Sequence, residues 1–321
     1  MIRDGKETVY DAPAGEVVTA DGHIGIVVGQ INQSHVEYDG QSQKPYEKIG
    51  GLQLSPDGKH VGYIATMSPK RFLVIDGEEK EVPVGAVDAL ALGPGGHYAC
   101  AGGANSAQLI LDGVLEGPTD VQFAGRPAIT FSPEGDHIAY LVDRQERGTT
   151  PFAGGAPLPI RRQYVVLDGA LQTLPDEEGN ATDRLTYSAD GRRLAYIVQS
   201  MSQPTLGPDG RPLIGRAGMS KMIQRLVVDG IATDTFNEIR EPVFSADGKH
   251  YACFAKRAGI DPIERDDQWY IVLDGAPAPC RKPLSQVPYF DAHDIVHAYT
   301  ASLGQGPWNL TDVYRMDARS K

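Results

Sequence analysis

Residues 243–255 read VFSADGKHYACFA, and their pattern returns along the chain. Taken alone, Asp247, His250 and Cys253 form a candidate metal clip or a Cys/His nucleophile. A catalytic group occurs once, however, whereas a turn in a repeated unit recurs. Six further copies of this pattern, which we call the head, are VTADGHIGIVV from Val18, LSPDGKHVGYIA from Leu54, LGPGGHYACAG from Leu92, FSPEGDHIAYLV from Phe131, YSADGRRLAYIV from Tyr187 and FDAHDIVHAYTA from Phe290.

The heads predict tight turns rather than a catalytic site. In Ser/Ala-Pro-Asp-Gly, Pro fixes φ, Asp hydrogen-bonds to its own backbone and Gly accepts a positive φ. An apolar strand follows each head and carries a small residue and then, in most copies, Tyr or Cys. We therefore expect Asp247, His250 and Cys253 to be structural, with Cys253 a small buried apolar residue.

A second motif, an apolar strand that ends in Asp-Gly, closes each unit. The head and the closing motif are 18 residues apart between Asp21 and Asp39 but 39 apart between Asp190 and Asp229, whereas the next head always follows after 18 to 22 residues. The closing motifs are VEYDG to Gly40, LVIDG to Gly77, LILDG to Gly113, VVLDG to Gly169, LVVDG to Gly230, IVLDG to Gly275 and a degenerate VYRMDA to Ala318.

Seven units with two recognisable turns each predict an all-β, seven-bladed β-propeller. Each blade has four antiparallel strands, a to d, with the head as the a–b turn and Asp-Gly as the c–d turn. Asp4 lies 17 residues before Asp21, so residues 7–10 are predicted to supply a d strand that pairs with the C-terminal blade and closes the ring. We expect one domain over residues 1–321.

The heads and the VVDG-type closing motifs resemble the TolB-like, WD-related β-propeller repeats of bacterial proteins, over essentially the whole chain. The resemblance implies a propeller fold. In TolB such a propeller follows a separate N-terminal domain and binds protein partners, and in dipeptidyl-peptidase-like relatives it caps an α/β-hydrolase. Here the repeats occupy all 321 residues, and no companion domain is expected.

The variable lengths fall in the b–c connections of four consecutive blades, at 143–163, 199–225, 256–268 and 302–312. We predict that these connections lie together at one mouth of the central channel, where long loops on a rigid scaffold commonly carry function. Tolerated surface insertions are the alternative.

The predicted binding residues are mostly basic, against a net charge of −12 for the whole chain. Arginine suits carboxylate and phosphate because its planar group bonds in a bidentate manner; the alternative is that the charges only solvate long loops. The d–a connections add three of these residues at the channel mouth, and Trp308 offers a stacking surface. The complete set is Arg144, Arg147, Arg161, Arg162, Arg184, Arg216, Lys221, Arg240, Glu241 and Trp308.

Several classes of function are not expected. The excess of 42 acidic over 30 basic residues argues against nucleic-acid binding, and no apolar run is long enough to span a membrane. Without a signal peptide we expect a soluble, cytoplasmic, monomeric protein, or a periplasmic or extracellular one if the chain is a trimmed mature form. Three cysteines without a CxxC indicate neither a disulfide framework nor a zinc site. We expect no cofactor, no metal and no catalytic residue.

These observations favour a non-catalytic binding or scaffold propeller that recognises a protein, a peptide or a small anionic ligand. A propeller enzyme, a hydrolase or lyase that uses Asp, Glu and Arg of the d–a connections, is the alternative. A purely structural platform is the third possibility.

Overall fold

The described part of the chain is almost entirely β-structure. The computed structural model describes residues 2–3, 6–7, 14–30, 32–82, 89–102, 108–118, 120–123, 128–151, 157–175, 179–202, 221–258, 267–300 and 312–317. Within these ranges there is no α-helix, and 3₁₀-helix covers Pro94–Gly96. The predicted all-β class is therefore confirmed.

The first strands form a short pair and three four-stranded sheets. The pair joins β1 (Ile2–Arg3) to β2 (Lys6–Glu7). Sheet 1 contains β3 (Ala14–Ala20), β4 (His23–Gln30), β5 (Gln33–Tyr38) and β6 (Gln41–Ser42). Sheet 2 contains β7 (Lys48–Leu54), β8 (Val61–Met67), β9 (Lys70–Ile75) and β10 (Glu78–Val82). Sheet 3 contains β11 (Ala89–Leu92), β12 (Tyr98–Gly102), β13 (Gln108–Leu111) and β14 (Val114–Glu116).

Four more sheets follow along the chain. Sheet 4 contains β15 (Ile129–Phe131), β16 (Ile138–Pro151), β17 (Pro157–Leu167) and β18 (Ala170–Thr173). Sheet 5 contains β19 (Asn180–Tyr187), β20 (Leu194–Met201), β21 (Met222–Val228) and β22 (Ile231–Ala232). Sheet 6 contains β23 (Glu238–Ile239), β24 (Val243–Phe244), β25 (Tyr251–Arg257), β26 (Gln268–Leu273) and β27 (Ala276–Cys280), and sheet 7 contains β28 (Tyr289–Phe290), β29 (Ile295–Thr300) and β30 (Asp312–Asp317).

The chain divides into two compact units, and the division falls within sheet 4. Unit 1 comprises Met1–Asp143 and Val166–Ala170, and unit 2 comprises Arg144–Val165 and Leu171–Lys321. The expectation of one domain over the whole chain stays a prediction.

The Asp-Gly motifs form the c–d turns that the sequence predicts. At Asp274 and Gly275 φ is +49° and +80°, which is the combination that a two-residue type I′ hairpin requires. The same Asp also ties this turn to the head, because its Oδ1 accepts a hydrogen bond from the Tyr251 backbone N–H and its Oδ2 lies 2.7 Å from His250 Nδ1. The arrangement recurs at His23–Asp39, His60–Asp76, His97–Asp112 and His137–Asp168, with Arg193–Asp229 in sheet 5.

The structural interpretation of the opening motif is confirmed. The Ser245 hydroxyl donates to Asp247 Oδ1 over 2.8 Å, and the same oxygen accepts from the Lys249 backbone N–H. Gly248 takes a φ of +72°. Cys253 is fully buried, and burial raises the pKa of its thiol to about 12, which does not suit a nucleophile.

The cores lie between successive sheets, so the middle strands are buried on both faces. On β8, Val61, Tyr63 and Ala65 pack toward sheet 1, whereas Ile64 packs toward sheet 3. A small residue precedes the Tyr or Cys because its own sheet and the next sheet leave little room there: a Cβ added at Gly62 would lie 2.8 Å from Ile75 of the same sheet and 3.2 Å from Leu90 and Leu92 of sheet 3. Burial on two faces explains why these strands read as continuous apolar runs.

The prediction of a b–c loop at 143–163 is wrong. Strand β16 continues to Pro151 and β17 begins at Pro157, so most of this segment is an extended pair of strands, which we call the arm. Strand pairing satisfies the backbone polar groups that a loop would leave to solvent. Most of the other three predicted connections, at 203–220, 259–266 and 301–311, lies outside the described residues.

Ring closure stays a prediction. Strands β1 and β2 pair with each other, and residues 4–5 and 8–13 lie outside the described part of the chain.

Candidate ligand-binding site

The candidate site lies where the first strands of sheets 5 and 6 are irregular. The pairing of β19 with β20 shifts register between Ala181 and Leu185, which takes Thr182 to Arg184 out of the regular ladder. In sheet 6 the first strand is split into β23 and β24, because Pro242 has no N–H to donate to the ladder. Bulges of this kind redirect side chains and are common beside functional sites.

Residues at the register shift in β19 and at the break between β23 and β24 line one cavity of about 430 Å³ in unit 2. Its charged lining consists of Arg184, Arg240 and Glu241, which are three of the residues predicted from the d–a connections. The lining therefore carries two positive charges and one negative charge. Arg184 comes from the first strand of sheet 5, and Arg240 directly follows β23 in sheet 6.

Arg240 is held in one orientation by three neighbours. Its guanidinium lies 4.6 Å from the centre of the Trp269 ring, and its Nη1 donates to the Ser285 carbonyl over 2.6 Å. Its Nε lies 3.7 Å from Glu238 Oε1, and the side chain is only 17% exposed. Trp269 itself is buried at 6% exposure, so it belongs to the core and also supplies the surface on which Arg240 stacks.

A second cation compensates Glu238 beside Arg240. Lys256 Nζ lies 2.9 Å from Glu238 Oε2, and this hydrogen bond raises the pKa of Lys256 above its usual value. Lys256 also lies over Trp269, with Nζ 5.6 Å from the ring centre. Lys256 Nζ also lies 3.4 Å from Asp267 Oδ2, so the two cations face two carboxylates.

Arg184 and Glu241 form an exposed ion pair across the cavity. Arg184 Nη1 lies 2.5 Å from Glu241 Oε2, and the two side chains are 65% and 44% exposed. An exposed pair of this kind contributes about 0–1 kcal/mol, because water and salt screen it. The pair is therefore easily exchanged for another partner.

The uncharged walls add apolar surface and hydrogen-bonding groups. Ile197, Ile239 and Pro242 supply the apolar surface, and Thr182 and Gln224 are polar. The side chain of Gln224 is already used, since its Oε1 accepts from the Ile239 backbone N–H over 2.5 Å. The buried Thr182 hydroxyl has no hydrogen-bond partner among the described residues.

Among the described residues, the predicted Arg144, Arg161, Arg162 and Lys221 are not part of the lining of this cavity. Arg144 and Arg147 lie on β16, and Arg161 and Arg162 lie on β17. Arg162 Nε is 3.3 Å from Glu146 Oε2, and Glu146 also accepts a hydrogen bond from the Tyr164 hydroxyl.

The positive charge of the arm is thus partly neutralised by its own Glu146. Lys221 is exposed directly before β21, where its backbone pairs with Ser202. Arg216 and Trp308 lie outside the described residues.

Sequence reasoning missed the uncharged lining, namely Thr182, Ile197, Gln224, Ile239, Pro242 and Gln286. One signal was available, because Pro242 directly after Arg240 and Glu241 indicates a break in a strand. The contribution of Gln224 from a c strand depends on tertiary packing.

The described residues contain no group of three or more His, Cys, Asp or Glu side chains arranged to hold a metal ion. Within the same ranges, no helix has the length and apolar character of a membrane span.

Comparisons with known proteins give structural likenesses only. No family model and no curated protein matches the chain. The β-propeller domain of the Trilobed protease from Pyrococcus furiosus, described as having an open velcro topology, is 12% identical, with 90% of this chain and 92% of that one covered and a TM-score of 0.43.

The β-propeller domain of Myceliophteria thermophila Cps50 (Swd1) is 13% identical, with 92% and 95% covered and a TM-score of 0.38. A putative TolB from Agrobacterium tumefaciens is 17% identical, with 74% and 83% covered and a TM-score of 0.29. The structural neighbours thus include β-propellers, but likenesses this distant carry no argument about family or function. Membership of the TolB-like family stays a prediction.

Proposed function

We propose that the chain is a closed seven-bladed β-propeller in which sheets 1 to 7 are the blades. The first strands of sheets 1 to 4, which are β3, β7, β11 and β15, contact one another in chain order within unit 1, as the innermost strands of successive blades do. The near-constant interval of 18 to 22 residues between a closing motif and the next head supports the same step from blade to blade.

The propeller serves as a non-catalytic binding module for a protein, a peptide or a small anionic ligand. The binding face is the channel mouth at the b–c and d–a connections of sheets 4 to 7. Neither nucleic acid nor membrane is a partner in this proposal, because the net charge is −12.

One observation carries this proposal. The cavity of about 430 Å³ combines a rigidly held Arg240, an exposed Arg184 and an apolar wall, and it is built by strand irregularities rather than by the regular turns. A concave site with apolar walls and a few convergent polar groups is the usual form of a ligand site.

A ligand screen by thermal shift tests the proposal. Compounds and peptides that raise the Tm of the wild-type protein by about 2 °C or more are measured again on Arg184→Gln. We expect the shifts to fall on Arg184→Gln and to persist on Arg192→Gln, which removes an exposed cation outside the cavity. The proposal is lost if every stabilising compound or captured partner acts equally on all three proteins.

The alternative is an enzyme, a hydrolase or lyase that uses Glu241 with the two arginines. The presence of this acid in the cavity beside Arg184 and Arg240 is the observation that favours it. Turnover of an ester, lactone or peptide substrate that Glu241→Gln abolishes without loss of binding would replace the binding proposal with this one.

A further inference from the structure

The charged lining of the cavity identifies the chemical class of its ligand, on the condition that the cavity is a ligand site as proposed. Arg240 is fixed by the Trp269 ring and the Ser285 carbonyl, so its remaining N–H groups keep one direction. A guanidinium that is already ordered loses little side-chain entropy when it binds, which favours bidentate recognition of a carboxylate.

Glu241 already offers a carboxylate to the other arginine of the cavity. It reaches Arg184 through a single contact between Nη1 and Oε2, so most of the five donors of Arg184 are not engaged by it. Both side chains are largely exposed, and their pair is correspondingly weak. Glu241 therefore acts as an internal substitute that an incoming carboxylate displaces.

In unit 1, similar bulges in the first strands of sheets 1 and 2 are linked by a different kind of contact. There the register shift between Ala14 and Val17 exposes Glu16, whose Oε2 accepts a hydrogen bond from the Leu52 backbone N–H in the bulge of sheet 2. That carboxylate is fixed on a backbone donor across two sheets. In unit 2 the corresponding link joins two exposed side chains, which also line the cavity.

The rest of the lining suits an apolar ligand body with a polar group. Ile197, Ile239 and Pro242 provide apolar contact on one side of the cavity. Thr182 and Gln286 add polar residues to the lining.

We infer that the cavity takes a small organic carboxylate with an apolar body, whose carboxylate bonds to Arg240 and displaces Glu241 from Arg184. A cationic ligand fits less well, because Glu241 is the only acid among the charged residues of the described lining and Arg184 already holds it. Glu241 then competes with the ligand for Arg184 and does not contact the ligand directly.

Three probes with one apolar body test this inference: 4-phenylbutyrate, its neutral amide and 4-phenylbutylamine. Their dissociation constants are measured by NMR titration on the full chain. We expect the carboxylate to bind at least tenfold more tightly than the amide and the amine. Arg184→Gln should weaken the carboxylate about tenfold, while Glu241→Gln should tighten it about threefold to tenfold because Arg184 is released.

Arg192→Gln is the matched control and should leave all three constants unchanged. Equal binding of carboxylate and amide, no binding of the carboxylate, or weaker binding on Glu241→Gln would each overturn the inference. If the amine binds and depends on Glu241, the cavity remains a ligand site and only the ligand class is wrong. The proposed function fails separately, when no ligand or partner found in the thermal-shift screen depends on the cavity.

Discussion

At the scale of single residues, the closing Asp of each of sheets 1 to 6 does two things at once. It takes a positive φ, which is unfavourable for most residues but tolerated by Asp, and its carboxylate holds the head of the same sheet. The histidines of the heads are therefore partners of turns, and their regular recurrence explains why a residue set that looks like a metal clip is structural. Arg193 in sheet 5 shows that the slot needs a donor rather than an imidazole.

Asp291, the head residue of sheet 7, should make stability depend on pH. Its carboxylate accepts a hydrogen bond from His297 Nε2 over 2.9 Å and two more from the Ile295 and His293 backbone N–H groups. The His297 bond is the main reason that its pKa is lowered to about 2 from the usual 3.8. A lowered folded-state pKa stabilises the fold above pH 3.8, and this contribution is lost as the pH falls toward 2.

Asp291→Asn keeps the size of the side chain but removes the titration. We expect the wild-type protein to have the higher Tm near pH 5 and the difference to shrink between about pH 4 and pH 2. Thermal unfolding of both proteins from pH 2 to pH 6 measures it. A difference that stays constant over this range would contradict the assignment.

At the scale of elements, glycine in the heads allows one sheet to pack on the next. A Cβ at Gly58 would lie 2.4 Å from His23 Cδ2 and 2.5 Å from the Ala20 carbonyl oxygen, which is backbone and cannot move aside. The φ of Gly58 is +70°. Gly40, in a c–d turn, has a similar φ of +80°, but apart from its chain neighbours no described residue has an atom within 4 Å of its added Cβ.

Alanine substitution at Gly40 and at Gly58 distinguishes the energetic cost of backbone strain from the cost of overpacking. Gly40→Ala should lower the free energy of unfolding by about 1 kcal/mol, from the positive φ alone. Gly58→Ala should lower it by roughly 2–4 kcal/mol, because overpacking adds to the same strain. Urea unfolding of both variants gives the comparison. Equal losses would mean that the contact between sheets 1 and 2 is not as tight as described.

At the scale of the whole molecule, each described core joins two successive sheets, so an unpartnered terminal sheet would leave one face and one edge open. The proposed ring removes this problem by pairing the N-terminal strand with the last blade. Stability should then depend on residues that are distant from sheet 7 in the sequence.

Deletion of residues 1–10 tests closure. We expect a lower Tm, by roughly 5 °C or more, and self-association on size-exclusion chromatography, because an unpaired strand edge recruits other chains. A chain in which residues 1–10 are replaced by Gly and Ser should behave like the deletion, since it keeps the length and loses the pairing. Unchanged Tm and size in both would argue for an open arrangement.

The sequence by itself determined the repeating sheet, its two turns and the structural role of Asp247, His250 and Cys253, because these depend on local backbone chemistry: Asp and Gly take a positive φ wherever a two-residue turn needs it. It also indicated Arg184, Arg240 and Glu241 from their place in the d–a connections. Only the tertiary structure decided that 143–163 is mostly paired strand, that Trp269 orders Arg240 and that Gln224 and Thr182 line the same cavity. These features depend on which sheets pack together and on where a strand pairing shifts register. The local sequence does not determine either of them.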